Sequence, residues 1–165
     1  MKMNKKGFTL VELLAVIVVL AVILVIAIPN VLSIIDKSRK DSMVSTAKMM
    51  VKAAQLKISN GDAASPAASG DATLIKIGAL DLDNVTKDAD GGSYNTTNTY
   101  VVVVNNAGAI KYYVNVLGSA RAIGITSVDT LTTTNVGATS TSVAAVAVNG
   151  TYTAAQTGIA TTVRS

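Results

Sequence analysis

The sequence predicts an α+β fold in which a long N-terminal α-helix lies against a small antiparallel β-sheet. Two observations indicate the helix. Residues 13–28 are all apolar, and residues 43–58 carry apolar side chains at three- and four-residue spacing. A third observation indicates the sheet, because two β-branched segments, residues 100–104 and 110–116, flank a short polar turn. The second half of the helix would supply the apolar stripe that covers the sheet.

The composition limits the chain to one thin domain with an appended element. Its 165 residues include one Phe, five Tyr and no Trp, so little bulk is available for a thick core. Cysteine and histidine are absent, which excludes a disulfide framework and any Cys- or His-dependent enzyme. Without Lys2, Lys5 and Lys6 the 14 basic residues fall to 11, against 10 acidic residues. We therefore expect no basic face for nucleic acid and no enzymatic activity.

The first part of the helix is apolar enough to span a membrane. Between Lys6 and Asp36 the only charged side chain is Glu12. As a helix, this run is long enough to cross ~30 Å of hydrocarbon. The lysines before it predict a cytoplasmic N-terminus, with the rest of the chain outside. A carboxylate inside such a helix costs about 3 kcal/mol, so Glu12 requires an explanation.

Neither a secretory signal peptide nor a plain membrane anchor explains every feature of this segment. A secretory signal peptide has a short apolar core followed by a small-residue cleavage site, and the sequence has neither. A plain membrane anchor explains the lysines and the length but not the carboxylate of Glu12. The third alternative is a leader of a different kind.

The stretch GFTLVE, residues 7–12, resembles the prepilin peptidase motif of type IV pilins and the related pseudopilins. The resemblance implies cleavage between Gly7 and Phe8 by a membrane aspartic peptidase, followed by N-methylation of Phe8. Removal of seven residues from 165 leaves a mature chain of 158 residues that keeps the apolar helix. Pro29 also resembles the family, whose N-terminal helix often carries a proline at a similar depth. We expect a kink near Pro29.

The resemblance also implies what the protein assembles into. Glu12 would be the fifth residue of the mature chain. We expect it to pair with the Phe8 amine of a neighbouring subunit, since a paired buried charge costs much less than a lone one. The precursor would be held in the cytoplasmic membrane, cut by prepilin peptidase, and assembled by a pilus assembly platform into a surface filament of identical subunits. The lack of cysteine is compatible with pilins of clostridia and other Gram-positive anaerobes.

Three functions are compatible with this sequence. The first is a major pilin of a type IV pilus, acting in adhesion, motility or biofilm formation. The second is a pseudopilin of a type II secretion or DNA-uptake machine, which the motif does not separate from the first. The third is a surface domain with a single membrane span that never polymerises.

The helix is predicted to run from about Phe8 to about Ile58, a length of roughly 75 Å. Asn60 and Gly61 form a good stop signal. Most lysines of the second half lie away from the apolar stripe, and we expect them either to face solvent or to meet aspartates of neighbouring subunits. The stripe itself consists of Met43, Ala47, Met50, Val51, Ala54 and Ile58.

Residues 61–92 are predicted to form an exposed loop in which residues 73–82 make a short helix or turn. The loop is acidic, but its spacing is not that of an EF-hand. The resemblance to pseudopilins leaves its aspartates as weak candidates for calcium, and we expect no other metal or cofactor. These candidates are Asp81, Asp83, Asp88 and Asp90.

The sheet is predicted to begin near Tyr94 and to contain about four antiparallel strands. Its best hairpin joins residues 100–104 to residues 110–116 through a turn at residues 105–108. Further strand signals lie at residues 122–126, 143–148 and 151–155, with Asn149-Gly150 as a second hairpin turn. The predicted organisation is a leader of residues 1–7, an assembly helix of residues 8–35, its amphipathic continuation at residues 36–60, a loop of residues 61–92 and a sheet region of residues 93–165.

Overall fold

The computed structural model describes residues 7–69, 71–82, 85, 87–138 and three short strands near the C-terminus. One long helix, α1 (Leu10–Ser59), precedes the strands in this part of the chain. The first 38 residues form one compact unit and residues 39–165 form a second. The strands are β1 (Ala72–Lys76), β2 (Tyr100–Asn106), β3 (Ala109–Leu117), β4 (Arg121–Ser127), β5 (Val136–Ala138), β6 (Ala147–Val148), β7 (Tyr152–Thr153) and β8 (Thr162–Val163).

The main sheet is antiparallel throughout and has the strand order β5-β4-β3-β2-β1-β8. Consecutive strands β1 to β5 are neighbours, so this part of the sheet is a meander. The register of β3 on β4 shifts between Val114 and Val116, which marks a bulge. The predicted α+β fold, a long N-terminal helix with a small antiparallel sheet packed against it, is confirmed.

The core of the second unit lies between one face of α1 and one face of the sheet. The amphipathic stripe is confirmed, with Ile58 half-buried at its end. Val101 and Val103 of β2 lie on the same face of the sheet, because alternate residues of a strand point to the same face. Both side chains are fully buried in this core. The helix contributes Met43, Val44, Ala47, Met50, Val51 and Ala54, and the other strands contribute Ile75, Val114, Val116, Ile123 and Val136.

The helix ends at the predicted stop signal. Gly61 has φ of +81°, the left-handed conformation that a helix C-terminus requires and that glycine adopts without strain. Its N–H donates to the carbonyl of Ile58 at 3.1 Å, and the N–H of Asp62 donates to the carbonyl of Lys57 at 2.9 Å. These two bonds form a Schellman motif, which satisfies carbonyls that the helix leaves unpaired.

The β2–β3 hairpin is confirmed and has a two-residue turn. Asn106 pairs with Ala109, so Ala107 and Gly108 form the turn, with φ of +51° and +89°. Two positive φ values are typical of a type I′ turn, whose twist matches the strands. The strained Ala107 is held by its N–H bond to the Ser69 hydroxyl at 3.2 Å.

The prediction for residues 61–92 is wrong in one respect. Residues 72–76 form strand β1 rather than a helix or turn, and only residues 77–79 make a short 3₁₀ turn. The sheet therefore begins at Ala72, not near Tyr94. The reason is pairing, because β1 lies along the valine-rich β2 from Ala72 opposite Val104 to Lys76 opposite Tyr100. Backbone hydrogen bonds and burial against β2 outweigh the helical spacing of Leu74, Ile77 and Leu80.

The C-terminal strands also differ from the prediction. Residues 136–138 lie between two of the predicted strand segments, yet they form β5, which pairs with β4. The predicted second hairpin exists as β6 and β7, but it forms a separate two-stranded sheet. Its turn, Asn149-Gly150, and most of the residues expected to be strand on either side lie outside the described residues.

Candidate functional site

The start of α1 is fixed by a pair of reciprocal hydrogen bonds between Thr9 and Glu12. The backbone N–H of Thr9 donates to Oε2 of Glu12 at 2.8 Å, and the Thr9 hydroxyl donates to the same oxygen at 2.9 Å. The N–H of Glu12 lies 3.3 Å from the Thr9 hydroxyl oxygen, which accepts it. This is a capping box, with Thr9 as the N-cap and Glu12 at the third helical position. The helix accordingly begins at Leu10, two residues later than predicted.

The bond between Gly7 and Phe8 lies outside this helix. Gly7, Phe8 and Thr9 have no regular secondary structure, and the Phe8 side chain is 83% exposed. A Cβ placed on Gly7 would meet no atom within 4 Å. Among the residues that the structure describes, none blocks access to Gly7. The bond expected to be cut is therefore open to an enzyme.

The apolar side chains after the box are exposed around the whole helix. Leu13, Val22 and Ile34 are 57%, 58% and 66% exposed, although they point in different directions. The most apolar window of α1 has a mean hydropathy of 3.3, enough by length and composition to cross a membrane, and none of it is buried against the residues that the structure describes. A helix that is apolar all round requires lipid or other helices as its surroundings.

Pro29 lies within α1, and the backbone is helical on both sides of it. Proline has no N–H, so it donates no hydrogen bond to the carbonyl one turn earlier. One residue later, the Asn30 side-chain amide donates to the carbonyl of Ile26 at 3.2 Å. The kink expected near Pro29 stays a prediction.

Two of the four aspartates expected as weak calcium candidates hold the loop to the rest of the second unit. Asp90 accepts from Arg39 of α1 at 3.1 Å, and Arg121 at the start of β4 contacts the same oxygen. Asp88 is 8% exposed and accepts backbone N–H groups of Asp90, Gly92 and Ser119. These contacts join the helix, the loop and the β3–β4 turn.

The environment of Asp88 stabilises its ionised form. Burial raises the pKa of this carboxyl, but the hydrogen bonds from Ser119, Asp90 and Gly92 outweigh burial, so its pKa lies below the ordinary value. The sequence gives no signal for this arrangement, since Asp88 and Ser119 lie far apart in the chain. The same holds for Arg39 and Asp90.

The other two aspartates differ from each other. Asp81 pairs with Lys57 of α1, and Asp62 also lies 3.7 Å from the Lys57 ammonium. The hydrogen bond that the Lys57 ammonium donates to Asp81 is the main cause that raises the pKa of Lys57. Asp83 lies outside the described residues. The described part of the chain brings no three carboxylates together as a metal site, and calcium binding stays a prediction.

These contacts also bear on the lysine-rich face of the helix. For the lysines of the second half of the helix, the sequence predicts either exposure to solvent or contact with aspartates of neighbouring subunits. Lys57 and Arg39 instead pair with Asp81 and Asp90 of the same chain. Contacts with aspartates of neighbouring subunits are therefore not required to neutralise the charges of Lys57 and Arg39.

Comparison with known proteins identifies the N-terminal segment. Residues 2–28 match the family model described as the prokaryotic N-terminal methylation motif. Comparisons with curated proteins and with solved structures give no significant match. The match includes Gly7, Phe8 and Glu12 and ends one residue before Pro29. The chain thus carries the class III signal of type IV pilins, and this signal, with the long helix and small antiparallel sheet, is consistent with a pilin or pseudopilin.

Proposed function

We propose that this protein is the major subunit of a type IV pilus. The observation that carries the proposal is the combination of an open Gly7–Phe8 bond with a helix that is apolar all round and is not covered by any residue that the structure describes. The matched family model supports processing at the Gly7–Phe8 bond, because the model describes a motif for methylation of the N-terminus. The filament and its homopolymeric composition are our inference.

Processing would convert the leader into an assembly signal. Hydrolysis adds water across the Gly7–Phe8 bond, so the leader departs with a Gly7 carboxylate and Phe8 keeps a protonated amine. Transfer of a methyl group from a sulfonium donor replaces one hydrogen of that amine, which is released as a proton. The mature chain then begins with a cation four residues before Glu12.

The new cation gives Glu12 a partner of opposite charge. In an apolar helix bundle a lone carboxylate is costly, and pairing with an ammonium group offsets much of that cost. We infer that Glu12 of one subunit pairs with the Phe8 amine of the next and so sets the axial register. The exposed apolar side chains of residues 10–35 would pack against those of other subunits, while the second unit forms the outer wall.

The proposed function places the precursor in the cytoplasmic membrane with its N-terminus in the cytoplasm. Prepilin peptidase and the pilus assembly platform are its proposed partners there. The assembled filament would lie on the cell surface and serve adhesion, motility or biofilm formation. We propose a structural role for this chain and no enzymatic role.

Purified surface fibres test the proposal directly. Electron microscopy should show long filaments, and mass spectrometry should identify this chain as their main component with N-methylated Phe8 at its N-terminus. Glu12→Gln should still be cut after Gly7 but should form roughly a hundredfold fewer filaments, because one member of a buried ion pair is lost. An intact Met1 in membrane-bound protein would indicate the anchored surface domain. Processed protein without filaments would indicate a pseudopilin.

A further inference from the structure

We propose that Thr9 is a positioning residue for cleavage of the Gly7–Phe8 bond. Its capping box with Glu12 starts the helix at Leu10 and thereby keeps the bond in non-helical backbone. The inference rests on the proposed function, since it concerns how the chain is presented to the peptidase.

The contacts around Thr9 set the helix boundary. The first helical hydrogen bond runs from the N–H of Leu13 to the carbonyl of Thr9, at 3.3 Å. An N-cap residue contributes its carbonyl to the helix but keeps a non-helical backbone. The Thr9 N–H and hydroxyl both bind the Glu12 carboxylate, so Thr9 cannot join the helix without giving up these bonds. Gly7 and Phe8 consequently stay outside it.

Without the box, the helix has a reason to extend upstream. Its first N–H groups would lack the Thr9 hydroxyl as an acceptor, and unsatisfied N–H groups are costly at a membrane. If the helix gained another turn at its start, the unpaired N–H groups would lie closer to the N-terminus of the chain. Upstream of Thr9, the residues of types favoured at N-caps are Gly7 and Asn4. A helix starting after Gly7 would take Phe8 into its first turn. A helix starting after Asn4 would contain both Gly7 and Phe8.

A peptide bond within a helix is a poor substrate, because cleavage concentrates in accessible, non-helical segments. Gly7 acts in the same direction as Thr9, since glycine is unfavourable in a helix interior. Gly7 alone opposes extension only weakly. The capping box adds a second barrier immediately after the bond that is cut.

Thr9 and Glu12 can be separated by substitution. Thr9→Val keeps the β-branched shape but removes the hydroxyl, whereas Thr9→Ser keeps a hydroxyl that can cap. Glu12→Gln keeps an oxygen that can accept from the Thr9 N–H, because glutamine also serves in capping boxes, but it removes the charge. Ser33→Ala is a matched control, since it removes a hydroxyl bond of 2.8 Å to the Asn30 carbonyl farther along the same helix.

The experiment uses the full-length precursor in phospholipid vesicles containing a prepilin-type aspartic peptidase. Mass spectrometry follows release of the leader with time. Thr9→Val should lower the cleavage rate about three- to thirtyfold, the factor expected from losing an N-cap. The cleavage rates of Thr9→Ser and Ser33→Ala should stay within about twofold of the wild-type rate. The cleavage rate of Glu12→Gln should fall less than that of Thr9→Val.

A second readout measures the helix boundary itself. In detergent micelles, the Cα chemical shifts of Gly7 and Phe8 should be non-helical in the wild type and should move toward helical values in Thr9→Val. A merely structural loss elsewhere would not move these two shifts. Thr9→Ser should restore them.

The outcomes distinguish this inference from the proposed function. If the wild type and Thr9→Val are cut at the same rate, or if Gly7 and Phe8 stay non-helical in Thr9→Val, the positioning role is refuted and the proposed function stands. Slow cleavage of Thr9→Ser also refutes it, because the cap is retained. If Glu12→Gln loses as much as Thr9→Val, charge rather than capping is responsible. A wild-type chain that is never cut refutes the proposed function, and this inference with it.

Discussion

Replacing Asp88 by asparagine tests whether this carboxylate holds the acidic loop against the β3–β4 turn. Oδ1 of Asp88 accepts the N–H of Asp90 at 3.0 Å and the N–H of Gly92 at 2.8 Å, while Oδ2 accepts the N–H of Ser119. Asparagine has one oxygen and one amide nitrogen. It can keep the first two bonds, but its NH₂ group then faces the N–H of Ser119.

The magnitude follows from one buried donor without an acceptor and from the loss of charge on the remaining bonds. An unsatisfied buried donor costs about 1–3 kcal/mol, and bonds to a charged acceptor are about twice as strong as neutral ones. We expect Asp88→Asn to lower the free energy of unfolding by about 2–3 kcal/mol. For a unit of this size, that corresponds to a fall in Tm of roughly 5–15 °C.

The assay is thermal unfolding of the full chain in detergent micelles, followed by circular dichroism in the aromatic region, where the five tyrosines report on the second unit. Asp129→Asn is the matched control, because the Asp129 carboxylate is exposed and its pair with Lys111 is 3.4 Å long. An exposed pair contributes little, and the control should change stability by less than about 1 kcal/mol. If both variants have the same Tm, the carboxylate of Asp88 is not what holds the loop.

Three further predictions concern single positions in the second unit. The pKa of Asp88 is lower in the folded state, so its contribution to stability is present above the unfolded pKa of about 4 and is lost as pH falls through the folded value. The Tm difference between wild type and Asp88→Asn should therefore shrink in acid. The pKa of Lys57 is raised mainly by Asp81, so its contribution is present below about pH 10 and is lost as pH rises through the folded value. An NMR titration of the Lys57 side chain should show the raised pKa, and Asp81→Asn should reduce the shift. Gly61→Ala should cost about 1 kcal/mol in chemical unfolding, because alanine is strained at positive φ although a Cβ there meets nothing within 4 Å, whereas the control Gly124→Ala should be close to neutral.

Local patterns predicted the elements whose stability is local. The stripe from Met43 to Ala54 and the stop at Gly61 depend on residues within one or two turns, and both are confirmed. The β2–β3 hairpin depends on a turn of two residues between β-branched runs, which the sequence also displays. In each case the residues that determine the structure are neighbours in the chain.

Elements that depend on distant partners could not be predicted in the same way. The apolar residues Leu74, Ile77 and Leu80 have helical spacing, and only the alignment of residues 72–76 on β2 makes that part a strand. The contact of Asp90 with Arg39 joins residues that are 51 positions apart, and no pattern in either segment indicates it. The capping box is the exception, because a Thr followed three residues later by Glu before an apolar run was a readable signal.

The apolar helix also constrains what can decide assembly under the proposed function. Its side chains are about half exposed or more when the chain is alone, so lipid must cover them before assembly and other subunits must cover them afterwards. Moving an apolar helix from lipid to a helix bundle gains little from the hydrophobic effect, since lipid tails are as apolar as leucine. Apolar burial therefore keeps the segment out of water in both states but does not choose between them. Specific polar contacts can make that choice, and between Lys6 and Asp36 Glu12 is the only charged side chain available to make them.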